Sequence, residues 1–79
     1  MSREELLNQM RPVFNDIFDV SEEEITESTT SKEIAGWDSL NHIILIATLE
    51  TFFSIRVDMK ESMNLRSVRL LLDYIEEKL

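Results

Sequence analysis

Cysteine is absent from the 79 residues. That excludes a disulfide framework, a thiolate nucleophile on the chain itself and Cys-ligated zinc or iron–sulfur clusters. One glycine and one proline leave little material for tight β-turns, which favours helices. No apolar stretch approaches the ~20 residues of a membrane span. Met1-Ser2-Arg3-Glu4-Glu5 lacks the apolar run of a secretory signal, so a cytoplasmic protein is expected. Bases are scarce, eight against sixteen acids, for a formal net charge of −8. Such a field opposes nucleic-acid backbones and anionic membrane surfaces. What the chain does have is 43% hydrophobic residues, enough for one small core. A single monomeric domain over residues 1–79 is expected. Its charge is lopsided: residues 1–38 hold ten acids and three bases, residues 39–79 six acids and five bases.

The apolar periodicity predicts an all-α, four-helix bundle with a long first loop and a short third helix. Ser2 and Glu5 have capping-box spacing. Leu6, Met10, Val13, Phe14, Ile17 and Phe18 then recur at helical intervals, predicting a helix over Arg3 to Phe18. Pro12 interrupts it and threatens a kink near Arg11. Residues 19–37 are polar, with Val20, Ile25, Ile34 and Trp37 as anchors. Glu22-Glu23-Glu24 reads as a solvated face or a short helical turn. Asp38 or Ser39 caps a second helix that reaches about Phe53. Asp58 caps a short helix over Met59 to Asn64. Ser67 caps the last, whose stripe is Val68, Leu71, Leu72, Ile75 and Leu79.

The second helix is apolar on two sides. At ~100° per residue, Leu45, Ile46, Leu49, Phe52 and Phe53 gather on one face. Leu40, Ile43, Ile44 and Ala47 gather on the other. One stripe reaches the core, with Leu49 and Phe53 meeting Phe14, Leu72 and Ile75. The other is either covered by the loop through Ile34 and Trp37 or left open as a docking patch.

Asp38, Ser39 and His42 are close in sequence, but a hydrolytic triad fails. His42 projects about 60° from Ser39 on one helix, the base is not aimed at the hydroxyl, and no Gly-x-Ser-x-Gly elbow is present. His42 is expected as a partly buried helix residue without an ionic role. The spacing of an EF-hand is missing. A helical interaction module without a cofactor stays open on these features alone.

The segment Gly36-Trp37-Asp38-Ser39-Leu40 resembles the phosphopantetheine attachment motif of acyl carrier proteins and related carrier domains. The resemblance extends along the chain: Ile25 to Thr30 in the loop, Leu45-Ile46 with Leu49-Glu50 and Phe53, then Ser67-Val68 with Leu72-Asp73-Tyr74-Ile75. It implies a non-catalytic carrier that holds acyl groups as thioesters on a 4′-phosphopantetheine arm. By that resemblance Ser39 receives the arm from coenzyme A, and Asp38 matches the acid that helps hold magnesium during transfer. No resident metal is implied. Leu40, Ile43 and Ala47 match outward positions that meet partner enzymes, and Trp37 and Ile44 are assigned to the same surface. The implied partners are a phosphopantetheinyl transferase, a loading ligase and acyl-processing enzymes. Missing cysteine fits, because the working thiol is on the arm.

Fatty-acid-type carriers commonly have acids where Asn41 and Ile44 stand, and often a proline where Asp58 stands. Trp37 is also outside their usual form. These departures imply a dedicated carrier in specialised, polyketide-like or surface-polymer biosynthesis. An aminoacyl or peptidyl carrier loaded by an adenylating ligase is the alternative.

Overall fold

Ser2 opens the first helix through reciprocal hydrogen bonds. In the computed structural model, which describes residues 2–79, its hydroxyl accepts from the Glu5 N–H at 3.1 Å. Its own N–H donates to Glu5 Oε1 at 3.1 Å. The first helix, α1, spans Arg3–Phe18 and buries Leu6, Leu7, Met10, Val13, Phe14 and Phe18. Pro12 lies inside α1 without ending it. Its ring is exposed, and the carbonyl it deprives of a partner belongs to the exposed Asn8, where water can substitute. The helix expected over Arg3 to Phe18 thus continues through Pro12 as one element.

The loop is fastened rather than free. Glu22–Glu24 form one exposed 3₁₀ turn. Ile25, Ile34 and Trp37 are buried in the core, with Val20 packed against it. Arg11 Nε donates to the Ile25 carbonyl at 2.9 Å. Thr29 is buried, and its hydroxyl accepts from Thr26 N–H and donates to the Glu24 carbonyl. An isolated antiparallel bridge pairs Thr30 with Ser67. Around it, Val68 N–H donates to Thr29 O and Ser31 N–H to Arg66 O, each at 2.9 Å. These bonds satisfy backbone groups that a loop at the core edge would otherwise leave unpaired.

Helix α2 spans Ser39–Phe53, α3 Met59–Ser62 and α4 Val68–Lys78. α1 packs against both α2 and α4. The expected core forms: Phe14, Leu49, Phe53, Leu72 and Ile75 are all buried. Two stripe members fall outside it. Phe52 is 53% exposed, because it lies about 80° from the centre of the buried arc of α2; it sits edge-on to Phe53 instead. Leu79 is 61% exposed because it follows the last helical turn. α3 is shorter than expected and buries no residue of its own.

Arg3 joins three segments. Its guanidinium pairs with Glu27 of the loop and with Asp73 and Glu76 of α4, and it donates to the Arg69 carbonyl. Hydrogen bonds to Glu76, Glu27 and Asp73 raise its pKa further above the ordinary arginine range.

Candidate functional site

Gly36 ends the loop with φ +88°, a left-handed conformation that glycine adopts without strain. A methyl group there would find space, its nearest neighbours lying 4.0 Å away, so the backbone conformation alone selects glycine. The Gly36 carbonyl accepts from Asp38 N–H and from Asn41 Nδ2, each at 2.8 Å. That turn aims the chain into α2.

Asp38 is the N-cap. Its Oδ1 accepts from the Asn41 N–H at 2.9 Å, and its backbone carbonyl accepts from His42 N–H. Ser39 is the first helical residue and is solvent-exposed. Sequence alone allowed either residue as the cap; the cap is Asp38. Among the described residues nothing hydrogen-bonds the Ser39 hydroxyl. The orphan donors and positive dipole end of α2 lie beside it.

The second stripe of α2 faces water. Leu40 is 68%, Ile43 66% and Ile44 45% exposed, and Ala47 is exposed with them. Of the two alternatives, the loop covering is excluded, because Ile34 and Trp37 turn into the main core. Trp37 is thereby corrected: it is buried and presents no surface to a partner. Its ring lies edge-on to Phe14 at 5.4 Å and tilted against Phe18 at 5.6 Å. Aromatic burial outweighed exposure at the motif.

His42 is also more buried than expected, at 3% exposure. Trp37 Nε1 donates to His42 Nδ1 at 2.9 Å, and His42 Nε2 lies 2.6 Å from the Ser62 carbonyl of α3. An indole N–H only donates and a carbonyl only accepts. The network therefore assigns the ring proton to Nε2, which donates to Ser62.

A cleft of about 350 Å³ lies between α2 and the segment containing α3. Ile43, Ile46, Ala47, Val57, Met59 and Met63 supply its apolar lining, and Ser39, His42 and Arg66 also border it. Glu50 shapes its far end by accepting from Val57 N–H at 2.8 Å. Sequence reasoning missed the α3 side of this site. The exposed Met59 and Met63, on a segment too short for periodicity, were the available signal.

The residues suit a covalent arm: an exposed hydroxyl without a partner, on a helix start, at the rim of an apolar cleft. No group of three or more His, Cys, Asp or Glu residues placed to hold a metal ion occurs among the described residues. No described helix is long and apolar enough to cross a membrane.

Comparison with known proteins agrees. The family described as "Phosphopantetheine attachment site" matches residues 8–75. An acyl carrier protein of Thermotoga maritima is 30% identical over 99% of this chain and 96% of its own length. One from Rubrobacter xylanophilus is 31% identical over 98% and 95%. The solved structure of an acyl carrier protein from Enterococcus faecalis covers 100% of both chains with a TM-score of 0.80 at 23% identity, which concerns the fold. With matches of this extent the chain belongs to the acyl carrier protein family, whose members are non-catalytic carriers of covalently attached 4′-phosphopantetheine.

Proposed function

We propose that Ser39 is the attachment point of the arm and that residues 1–79 act as one dedicated carrier domain. The observation that carries this reading is the exposed Ser39 hydroxyl, unengaged at the first turn of α2 because Asp38 does the capping. Asp38 is the acid that assists transfer from coenzyme A: one of its oxygens caps α2, and the other stays free for a divalent cation. When attached, the arm supplies the terminal thiol on which acyl groups travel as thioesters. The protein's own part is to hold the attachment point rigid, offer apolar shelter and present a surface to enzymes. A phosphopantetheinyl transferase and acyl-processing enzymes are the partners that family membership brings.

The partner surface is the open stripe of Leu40, Ile43, Ile44 and Ala47. Contiguous exposed apolar surface of this kind marks docking. Glu50 is the only acid within α2, and it is occupied with Val57. Recognition that rests on apolar contact fits a dedicated enzyme set better than a general fatty-acid role.

Incubation with coenzyme A, magnesium and a broad transferase tests the attachment. Intact mass should rise by ~340 Da, the mass of the transferred phosphopantetheinyl group, and the site should map to Ser39. Ser39→Ala should stay folded and gain nothing. Modification that persists in Ser39→Ala would place the arm elsewhere.

A further inference from the structure

α3 poses a mechanical question. Four residues make barely one helical turn, far below the length at which a helix holds itself in water. No side chain within Met59–Ser62 is buried. Met59 and Met63 are 81% and 63% exposed. Apolar packing therefore does not fix α3 against α2, yet α3 forms one wall of the cleft beside Ser39.

Side chains of other elements hold its backbone instead. Glu50 takes the Val57 N–H at 2.8 Å, and the Tyr74 hydroxyl accepts from Asp58 N–H at 3.3 Å. Both hold the entry to α3. At its far end the Ser62 carbonyl, which also accepts from Leu65 N–H at 3.1 Å, receives Nε2–H of His42 at 2.6 Å. The same ring accepts from Trp37 and lies nearly parallel to the indole, 20° between planes and 6.1 Å between centroids. The imidazole is thus oriented from one side by a core tryptophan and spends its remaining polar atom on α3.

We infer that His42 is a positioning residue, whose Nε2–H tethers α3 across the cleft and thereby sets the shelter available to cargo on the arm. This rests on the Ser39 reading for the cargo but not for the tether. In the unloaded protein the hydrogen bond is a property of the chain alone. α3 itself buries no side chain, whereas Val57 before it packs against the core and Leu65 after it is part of the core. The turn between these anchors can therefore shift while the core keeps its contacts.

The full-length protein can be tested unloaded and carrying an octanoyl group. Nitrogen NMR of labelled histidine should show Nδ1 unprotonated and Nε2 protonated. His42→Phe keeps an aromatic ring but removes both hydrogen bonds. Amides of residues 59–64 should exchange at least ~10-fold faster in it, with core amides of α1 and α4 unchanged. Hydroxylamine should cleave its octanoyl thioester several-fold faster than that of the wild type. His42→Gln, whose side-chain amide can donate near the Nε2 position, should restore most of the protection. A proton on Nδ1 instead, or equal exchange over 59–64 in wild type and His42→Phe, overturns the tether. Should His42→Phe fail to fold, the histidine nitrogen and proton spectrum of the wild type decides: an Nε2–H protected from exchange with water supports the tether, and a proton on Nδ1, or an Nε2–H in rapid exchange with water, overturns it. Failure of Ser39 loading appears separately, as an unchanged mass, and leaves the exchange and NMR outcomes intact.

Discussion

Adjacent residues at the start of α2 divide two tasks. Asp38 satisfies a backbone donor of the helix, and Ser39 leaves its hydroxyl exposed and unengaged, as the proposed attachment requires. The division predicts unequal stability effects. Asp38→Ala loses the cap and should destabilise the fold by about 0.5–2 kcal/mol. Ser39→Ala loses no cap and should change stability by less than about 0.5 kcal/mol. Urea unfolding of both variants measures the difference, and equal losses would reassign the cap. Sequence alone did not separate these roles, because aspartate and serine are comparable caps and a one-residue shift of helix start exchanges them. Trp37 was misplaced for a related reason. Its neighbours in sequence belong to the motif and are exposed, but its ring turns away, into the gap bounded by Phe14 and Phe18. The direction of a loop side chain depends on tertiary packing, which no periodicity encodes.

At the level of elements, capping signals were the most legible feature. Ser2 with Glu5, Asp58 and Ser67 all cap where their sequence spacing put them. A cap is local, and its partner lies within three residues. The bond from His42 to Ser62 spans twenty positions and left no local trace. The amphipathic stripe of α1 was likewise clear enough to carry the helix through Pro12, while α3 was too short to show one. The α1 cap also carries a pH dependence. The Ser2 backbone N–H, and next its hydroxyl, lower the Glu5 pKa below the ordinary 4.5. A carboxylate whose pKa is depressed on folding contributes stability above its unfolded pKa and loses it as pH falls through the folded value. Wild type should therefore exceed Glu5→Gln in stability at pH 6. That margin should shrink as the pH falls below the ordinary 4.5 and through the depressed folded-state value. Thermal melts across this range measure it, and a margin that grows toward acid would contradict the assignment.

Across the whole molecule, acidity and apolar exposure occupy different territory. Most of the net negative charge belongs to residues 1–38, whereas the open stripe of Leu40, Ile43, Ile44 and Ala47 follows it on α2. If the stripe docks partners, screening should matter little, since salt acts on charges and not on apolar contact. Burying about 150–200 Å² there would contribute about 4–5 kcal/mol before ordering costs. Affinity for a cognate acyl-processing enzyme should change less than about threefold between roughly 50 and 300 mM salt. Ile43→Glu should abolish most transfer while leaving the melting temperature nearly unchanged, because Ile43 already faces water. A tenfold or greater loss with salt, and a harmless Ile43→Glu, would return recognition to the acidic half.

The burial of Trp37 has an optical consequence. It is the sole tryptophan of the chain, so the indole emission of the whole protein arises from one ring, two residues from Ser39 and bonded to His42. Its colour and intensity follow the polarity around that ring. The native protein therefore contains a label-free reporter at the junction of loop and α2, one that registers loosening there even when the rest of the bundle stays helical.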